Sequence, residues 1–391
     1  MKIGIFGGTF NPPHIGHIKS AEKAAQALGL DRLIVIPAAN PPHKQVQQGT
    51  PPAEMRYDMA RLAFAGVREA YVSDIEIADR RLKYTVDTLR YIMHDFPGGK
   101  FYLLVGTDMY LSLESWKDAE TLIKAVTPAV FSRNSSDNTL ISEHASVLRE
   151  KYGVETVIIE NDAVDISSSQ LREMLPDREG LRYIPDTIYA YIIKNRLYGA
   201  KPDWDWLRGR AYSMLDPARI PHVAGCEAEA LLLAARWSVD ADDAREAAIL
   251  HDITKKLTPE ENLKVLAEHE VGIKSFKPGE EKLLHSKTGA VLAENEFGVT
   301  KEVADAIMWH TTGRPGMSTL EKIIYLADYI EPTRDIEGVD DLRESAYCDL
   351  DGAVIMGLEM SISDMRERGI APNRVTFDAL SDLAGNALND R

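Results

Sequence analysis

The amino-acid sequence predicts two domains of different class: an α/β domain with a parallel sheet, followed by an all-α domain. The chain has 391 residues, and an ordinary domain holds about 150, so two or three domains are expected. Hydrophobic residues make up 45% of the chain and charged residues 27%, which is the composition of a globular protein. The two classes follow from the strand patterns, which occur in residues 1–199 and not beyond.

Short β-rich segments alternate with helical segments through the N-terminal half. The predicted strands are residues 2–6, 32–37, 70–74, 100–105, 129–132 and 156–160. The predicted helices are residues 18–28, 53–65, 84–95, 119–125, 169–175 and 186–197. Such alternation is typical of βαβ units and therefore of a parallel sheet. Ligands of these sheets bind at the edge where the strands end.

Residues 198–203 predict the domain boundary, because their glycine and proline stop the preceding helix. We therefore place one domain at residues 1–199 and another at residues 204–391. The second is rich in Ala, Leu and Glu. Its predicted helices are residues 204–215, 226–237, 242–251, 259–269, 285–297, 301–310, 319–329 and 349–368.

Charge and composition exclude several classes of function. The net charge of −16 disfavours a nucleic-acid-binding protein, and an anionic substrate needs a local positive site. Cys226 and Cys348 are far apart and form no C-x-x-C, so we expect neither a disulfide framework nor a thiolate metal site. No apolar run approaches the roughly 18 residues of a membrane span, and there is no signal-peptide core. We expect a cytoplasmic protein without membrane or nucleic-acid partners, and a homo-oligomer stays open.

The first predicted strand leads directly into the segment GGTFNPPHIGH, residues 7–17. Gly7 and Gly8 allow backbone N–H groups to approach an anion closely. The prolines suit the start of a helix, whose N-terminus carries partial positive charge and binds phosphate. His14 and His17 share one face of the first helical turn, so both can point at that phosphate. The segment therefore predicts a nucleotide phosphate site.

A second segment, ISSSQLR at residues 166–172, suits the same ligand. Its serines cap a helix whose free N–H groups, together with the guanidinium of Arg172, can hold the far end of a triphosphate. The two segments resemble the signatures of the nucleotidylyltransferase superfamily, of which the first is G-x-F-x-P-x-H-x-G-H. Resemblance to nicotinate-mononucleotide adenylyltransferases in particular lies in residues 40–44, 84–89, 105–108, 115–118 and 184–198. It covers residues 1–199 and implies a Rossmann-like nucleotidylyltransferase domain.

The resemblance implies a role for each matching residue. The catalytic residues, which hold the ATP phosphates and stabilise charge on the α-phosphorus, would be His14, His17, Lys44 and Arg172. The other ATP-binding residues would be Gly7, Gly8, Thr9, Phe10, Ser167, Ser168 and Ser169. The nicotinate nucleotide would be bound by Thr85, Asp108 and Trp116.

The implied reaction is in-line transfer of AMP from ATP to nicotinate mononucleotide. It gives deamido-NAD and pyrophosphate, a step in NAD biosynthesis, and uses Mg²⁺ bound with the ATP. Chemistry of this kind depends on positioning and charge stabilisation rather than on a protein nucleophile. Phosphopantetheine adenylyltransferases share the histidine motif, so a different acceptor is the alternative for this domain.

The second domain contains candidate metal ligands that are all N or O donors: His222, His251, Asp252, His285, His310 and Asp328. The adjacent His251 and Asp252 point about 100° apart on a helix, so the histidine can bind one metal while the carboxylate reaches towards another. Asp328 interrupts an otherwise apolar helix face, and burial of an uncompensated carboxylate is costly. A cation partner is therefore expected.

These residues resemble the H…HD…H…H…D pattern of HD-domain phosphohydrolases. Segments 284–290, 309–317 and 325–334 further resemble the YqeK family of symmetrical diadenosine-tetraphosphate hydrolases. This resemblance implies a dinuclear metal centre that hydrolyses diadenosine tetraphosphate to two ADP, with Lys255 and Arg314 neutralising the polyphosphate. Such ligands suit iron, manganese, cobalt or zinc, of which we expect iron or manganese. The alternatives are another nucleotide substrate, or a regulatory or binding module without catalysis.

Overall fold

The structure is a computed structural model of the chain. It describes residues 1–39, 49–79, 81–82, 84–132, 134–160, 164, 166–272 and 281–389. The chain forms two compact units, Met1–Lys201 and Pro202–Arg391. None of the helices in the described ranges combines the length and hydropathy that a membrane span requires.

The first unit is built on a six-stranded sheet in which all neighbouring strands are parallel. Its strands are β1 (Lys2–Gly8), β2 (Arg32–Pro37), β3 (Ala70–Val72), β4 (Lys100–Gly106), β5 (Thr127–Ser132) and β6 (Val157–Glu160). Their order, β3-β2-β1-β4-β5-β6, confirms the predicted parallel sheet of a Rossmann-like domain. The order reverses between β1 and β4, and sheets of this type bind ligands at the carboxyl ends of such a pair.

Both central strands are buried on both faces, as expected where helices cover the two sides of a parallel sheet. Ile3 and Ile5 of β1 and Leu103 and Leu104 of β4 are at most 3% exposed. The α-helices that accompany the sheet are α1 (Ile15–Leu28), α2 (Ala53–Phe64), α3 (Ile75–Ala78), α4 (Thr85–Asp95), α5 (Thr107–Leu111), α6 (Ala119–Ala125), α7 (Ser135–Tyr152), α8 (Ser168–Met174) and α9 (Asp186–Lys194).

The second unit is helical, which confirms the predicted all-α class. Its α-helices are α10 (Trp204–Ser213), α11 (Ile220–Trp237), α12 (Ala241–Leu250), α13 (Pro259–Glu268), α14 (Leu284–Phe297), α15 (Lys301–Trp309), α16 (Thr319–Ile330), α17 (Val339–Cys348), α18 (Leu350–Glu367) and α19 (Arg374–Asn389). Helices α11, α12, α15 and α16 pack against one another around a core of Ala, Leu, Ile and Val side chains. Small residues such as Ala247 and Ala327 allow the helices to approach closely.

Several helices differ from the sequence prediction. Helix α7 was not predicted from the sequence. Its buried residues are Ile141 and Leu148, and two apolar positions are too few to show the roughly 3.6-residue period of a helix. Helix α11 begins at Ile220 instead of residue 226, because Pro221 occupies the first turn, where no N–H donor is needed. This earlier start places His222 on the helix.

Arg56 of α2 ties together the loops around the end of β1. Its side chain is 3% exposed. The guanidinium donates to the carbonyl oxygens of Thr9 (2.8 Å), Ala38 (2.7 Å), Ala39 (3.1 Å) and Pro51 (3.3 Å). Buried carbonyl groups are costly without donors, so Arg56 stabilises this edge of the sheet.

Replacement of Arg56 by Met should destabilise this edge by about 3 kcal/mol or more, because four carbonyl groups lose a charged donor. Amide hydrogen exchange in β1 and β2, measured by mass spectrometry, should become about 100-fold faster. Arg61→Met, at an exposed position of the same helix, is the control and should change exchange little. Equal exchange rates in the two variants would contradict this role for Arg56.

Candidate functional site

The loop between β1 and α1 is shaped by Phe10. This residue has a φ of +46° and is 1% exposed. Its ring packs edge-on against Phe6 and Phe64, with centroid distances of 5.7 and 5.5 Å. A Cβ on Gly8 would lie 3.0 Å from the ring, so a larger residue here would have to displace the ring by a few tenths of an ångström. The predicted ATP-binding loop is therefore anchored in the core.

His14 and His17 lie side by side at the N-terminus of α1, with ring centroids 3.8 Å apart. The Nδ1 of His14 accepts from Gly16 N–H, and the Nδ1 of His17 accepts from His14 N–H, both at 3.2 Å. When neutral, each ring therefore carries its proton on Nε2. A Cβ on Gly16 would lie 2.9 Å from the His14 Nδ1, which accounts for the glycine between the histidines.

Burial keeps both imidazoles neutral. It lowers the pKa of His14 to about 4. Burial and the neighbouring His14 lower the pKa of His17 well below its ordinary value. At neutral pH the pair therefore offers two uncharged Nε2–H donors rather than two cations.

The second segment predicted to bind phosphate contacts the first, although the two are far apart in sequence. The Oγ of Ser168 donates to the carbonyl oxygen of Pro12 at 2.8 Å. Arg172 donates from Nη1 to the carbonyl oxygen of Asn11 at 2.7 Å and from Nη2 to the Oγ of Ser169 at 3.1 Å. The structure thus brings Arg172 and the serines to the loop that carries His14.

The serines begin α8 as the sequence predicts. The Ser167 Oγ accepts from the backbone N–H of Gln170 at 3.2 Å, and the Gln170 side chain accepts from Ser167 N–H at 2.8 Å. This reciprocal capping fixes the start of the helix. Ser168 and Ser169 are then left to bond the neighbouring loop and Arg172.

Sequence reasoning missed Asn11 and Tyr198 in this site. Asn11 is 8% exposed, accepts from the Tyr198 hydroxyl at 2.9 Å and donates to the Oγ1 of Thr50 at 3.2 Å. The polar residue inside the otherwise apolar run 10–13 is the signal that could have identified it. These bonds hold the carbonyl group to which Arg172 is bound.

The remaining candidates of the first unit are placed by the topology. Thr85 begins α4, and Asp108 lies exposed in the first turn of α5, directly after β4. Trp116 is half-buried, and its Nε1 donates to the Oγ of Ser112 at 3.3 Å. In a parallel sheet these segments follow the carboxyl edge of the strands. Lys44 lies outside the described residues.

In the second unit, three histidines are oriented in the same way. Each holds its Nδ1 against the carbonyl oxygen three residues earlier, so that Nε2 is directed away from the backbone. They are His251 with Ala248 (2.7 Å), His285 with Lys282 (2.5 Å) and His310 with Ile307 (2.7 Å). Metal-binding histidines are commonly fixed by such a bond, which leaves the Nε2 lone pair for the metal.

His222 is oriented by a carboxylate instead. Its Nδ1 lies 3.0 Å from Oε1 of Glu331, which is fully buried. Glu331 in turn accepts from the backbone N–H of Thr333 at 2.7 Å and from its hydroxyl at 2.5 Å. A Cβ on Gly225 would lie 2.5 Å from Glu331 Oε2, so the glycine makes room for this carboxylate. Sequence reasoning did not identify Glu331.

Asp252 lies between two groups of ligand atoms and is 0% exposed. Its Oδ2 accepts from Arg219 Nε at 2.6 Å and lies 3.5 Å from His251 Nε2. Its Oδ1 lies 3.3 Å from His285 Nε2 and 3.7 Å from His310 Nε2. One carboxylate thus lies beside both groups, which is the position that the predicted bridging ligand would need.

Asp328 completes the group around His222. Its Oδ1 lies 3.0 Å from His222 Nε2 and accepts from Arg334 Nη2 at 2.6 Å. Burial alone would raise the pKa of Asp328, but the hydrogen bond with His222 holds that pKa below its ordinary value. The carboxylate is therefore ionised.

Asp252 and His285 are also in the states that a metal requires. Burial would raise the pKa of Asp252, but the adjacent His251 outweighs it and holds that pKa well below its ordinary value. Burial lowers the pKa of His285 to about 4. An ionised carboxylate and a neutral imidazole are the ligand forms of these side chains.

Two atoms of this cluster test whether the residues fit a metal. The Nε2 of His251 and the Oδ1 of Asp252 are buried and have no hydrogen-bond partner in the part of the chain that the structure describes. Buried polar atoms are normally satisfied, and metal ions bound beside these two atoms would satisfy both. The candidate groups are His222, Cys226, His251 and Asp328, and His251, Asp252 and His310. The site therefore fits a metal centre.

The structure adds to this cluster a residue that the sequence analysis left out. The sequence predicts ligands without a competing thiolate, and the Sγ of Cys226 lies 3.5 Å from His222 Nε2. Cys226 follows His222 by one helical turn of α11. Because the sequence prediction begins this helix at residue 226, it does not place the two residues on one helix face. Burial, with Asp328 and Glu331, raises the pKa of Cys226 well above its ordinary value, so its sulfur is a neutral thiol when no metal is bound.

The two cations predicted to neutralise polyphosphate have different positions. Lys255 Nζ lies 3.0 Å from His285 Nε2 and 3.7 Å from Asp252 Oδ1, at the cluster. Arg314 is instead held by Glu321 at 2.7 Å and by Asp305 at 3.4 Å. The cations on the site carboxylates, which sequence reasoning missed, are Arg219 and Arg334. Arg219 precedes His222 by three residues and Arg334 follows Glu331 by three, and this spacing could have suggested both arginines.

Comparison with known proteins gives two matching families. Residues 5–174 match the cytidylyltransferase-like family, and residues 219–333 match the HD domain. A probable nicotinate-nucleotide adenylyltransferase from Clostridium acetobutylicum is 33% identical over 198 residues, covering 50% of this chain and 98% of that protein. A probable nicotinate-nucleotide adenylyltransferase from Clostridium botulinum is 36% identical over 197 residues, covering 50% and 97%.

Among solved structures, the chain is similar to a predicted HD superfamily hydrolase involved in NAD metabolism from Clostridium acetobutylicum. The two are 34% identical, the match covers 47% of this chain and 98% of that one, and the TM-score is 0.45. The sequence matches confirm both the adenylyltransferase resemblance and the HD domain. In its N-terminal half the chain therefore belongs to the nicotinate-nucleotide adenylyltransferase family, and an HD domain follows.

Proposed function

We propose that the chain is a bifunctional enzyme, with one activity in residues 1–199 and the other in residues 204–391. The first transfers AMP from ATP to nicotinate mononucleotide. The second is a metal-dependent phosphohydrolase that cleaves diadenosine tetraphosphate into two ADP. The contact between the two phosphate-binding segments carries the first assignment. The histidine nitrogens enclosed around Asp252 carry the second.

Adenylyl transfer requires donors that stabilise negative charge on the reacting phosphates. A phosphate oxygen of nicotinate mononucleotide attacks the α-phosphorus of ATP in line. The new P–O bond forms as the bond to the β-phosphate oxygen breaks, and pyrophosphate leaves with that electron pair. His14 and His17, the N-terminus of α1 and Arg172 are the proposed donors. Mg²⁺ enters bound to the ATP phosphates.

The acceptor is assigned from the relatives and from the residues at the carboxyl edge of the sheet. Trp116 is half-buried, and an indole can stack on the pyridine ring of the nucleotide. Thr85 and Asp108 are proposed to bind the rest of that nucleotide. Lys44 is proposed to add positive charge at the ATP phosphates.

In the second unit, the proposed metal ligands form two groups that share Asp252. His222, His251 and Asp328 would hold one ion, and His285 and His310 a second. When bound, such ions lower the pKa of water and polarise a phosphate. Arg219 and Arg334 hold the carboxylates in place, and Lys255 supplies positive charge for the substrate. Diadenosine tetraphosphate is proposed from the resemblance of segments 284–290, 309–317 and 325–334.

His17→Ala should lower kcat for pyrophosphate release from ATP and nicotinate mononucleotide by about 10²–10³-fold, because a donor to the transition state is lost. Hydrolysis of diadenosine tetraphosphate by the same protein should be unchanged. His94→Ala is the control, since that histidine is 90% exposed. Loss of both activities in a folded His17→Ala variant would contradict the proposal of two separate sites. The acceptor is tested with the unmodified enzyme: turnover of phosphopantetheine but not of nicotinate mononucleotide would overturn that assignment.

The protonation state of the histidine pair is testable by ¹⁵N NMR of histidine-labelled protein, with His14→Ala and His17→Ala for assignment. Because burial lowers both pKa values, with His14 at about 4, both rings should stay neutral and protonated at Nε2 as the pH falls from 8 to 5.5. Protonation should begin only as the pH approaches 4. A midpoint near the ordinary value of about 6.5 would contradict the description of neutral donors.

Gly225→Ala should displace the Glu331 carboxylate, because the added Cβ would lie 2.5 Å from Oε2. His222 then loses the bond that orients it, so the affinity for Mn²⁺ or Zn²⁺ in calorimetric titration should fall about 10–100-fold. Gly209→Ala on α10 is the matched control, since its Cβ would meet nothing within 4 Å. Equal metal affinity in the two variants would show that Glu331 does not position His222.

A further inference from the structure

We propose that Cys226 is a thiolate ligand at one of the two metal positions, together with His222, His251 and Asp328, and that it biases this position towards zinc, iron and cobalt. One ligand atom from each of these four residues lies within 4.8 Å of all the others. The inference rests on the proposed metal centre. It adds to that centre a ligand that the H…HD…H…H…D pattern does not contain.

The position of the sulfur matches that of a ligand sharing an ion with His222. Metal–sulfur bonds are about 2.3 Å and metal–nitrogen bonds about 2.0–2.1 Å long, so two such ligands lie about 3.1–3.6 Å apart at angles of about 90–110°. Cys226 Sγ and His222 Nε2 are 3.5 Å apart. The His222 Nε2 and the Asp328 Oδ1, 3.0 Å apart, likewise fit the roughly 2.9–3.4 Å expected for nitrogen and oxygen ligands of one ion.

An independent observation points to a ligand in the same space. His251 is 1% exposed, its Nδ1 is held by Ala248, and its Nε2 has no hydrogen-bond partner among the residues that the structure describes. Cys226 is also 1% exposed. A buried cysteine commonly serves only as a small apolar side chain, but this sulfur lies among three ligand atoms. An ion there would satisfy the Nε2 of His251 and bind the sulfur.

A thiolate changes which ions this position prefers. On coordination, the metal–sulfur bond forms and the thiol proton passes to solvent, as for other protein thiols that bind metals. The Cys226 thiolate and the Asp328 carboxylate then balance the charge of a divalent ion, and His222 and His251 remain neutral. Sulfur is a soft ligand, so zinc, iron and cobalt are favoured over manganese and magnesium, which prefer oxygen.

Loading the full-length protein with Co²⁺ in the absence of oxygen tests this assignment. A thiolate bound to Co²⁺ gives a charge-transfer band in the near ultraviolet, which nitrogen and oxygen ligands do not give. We expect the band in the wild type and in Cys348→Ser, whose cysteine is exposed. It should be absent from Cys226→Ser and Cys226→Val. Valine keeps the site apolar and similar in volume, so it separates loss of a ligand from loss of packing.

Metal titrations of the same variants test the preference. Removal of even an outer partner of a metal ligand costs about 10–100-fold in affinity, so the affinity of Cys226→Val for Zn²⁺ should fall at least about tenfold. Its affinity for Mn²⁺ should fall less, so that the ratio of the two affinities moves towards manganese. Circular dichroism of the metal-free variants checks that they are folded.

The outcomes distinguish failure of the Cys226 assignment from failure of the proposed metal centre. If the wild type binds no Co²⁺, the proposed centre itself fails. If it binds Co²⁺ without the charge-transfer band, or if Cys226→Val keeps the wild-type affinity for Zn²⁺, then Cys226 is a packing residue and the inference is overturned. Because the spectra of the wild type and of Cys348→Ser together decide, a Cys226 variant that does not fold leaves the test intact.

Discussion

The hydrogen bond at Nδ1 of each buried histidine is the interaction on which both sites depend. In the first unit, the Nδ1 atoms of His14 and His17 accept from backbone N–H groups, so the free Nε2 carries a proton and donates. In the second unit, His251, His285 and His310 hold Nδ1 against carbonyl oxygens, so that Nε2 of a neutral ring presents a lone pair. The backbone thus leaves the same side chain with a hydrogen-bond donor in one unit and with a lone pair in the other, which suits the proposed phosphate and metal ligands respectively.

Ion pairs with arginines offset the cost of burying the carboxylates of the second unit. Asp252 and Asp328 are taken out of water at considerable cost, which a charged partner offsets. Arg219 and Arg334 provide those partners, and each contacts one oxygen of its carboxylate. The other oxygen of Asp252 has no hydrogen-bond partner within the described ranges. The ion pairs therefore keep the site folded while a position for a cation is preserved.

The sheet and the two nucleotide motifs could be predicted from the sequence, because period, turn residues and local spacing determine them. What could not be predicted are side chains that meet only in the folded chain. Glu331 reaches His222 across 109 positions, and Cys226 becomes relevant only once α11 is known to begin before it. Arg314 shows the opposite case: its motif is local, but its ion pair with Glu321 forms only in the folded chain.

The two proposed activities are chemically complementary. Adenylyl transfer depends on positioning an acceptor phosphate in line with the α-phosphorus of ATP. If a second ATP takes the place of nicotinate mononucleotide, attack by its γ-phosphate oxygen releases pyrophosphate and joins two adenosines through four phosphates. That product is the substrate proposed for the HD domain, which returns it as two ADP. One chain would then hold both a source of this by-product and the means of its removal.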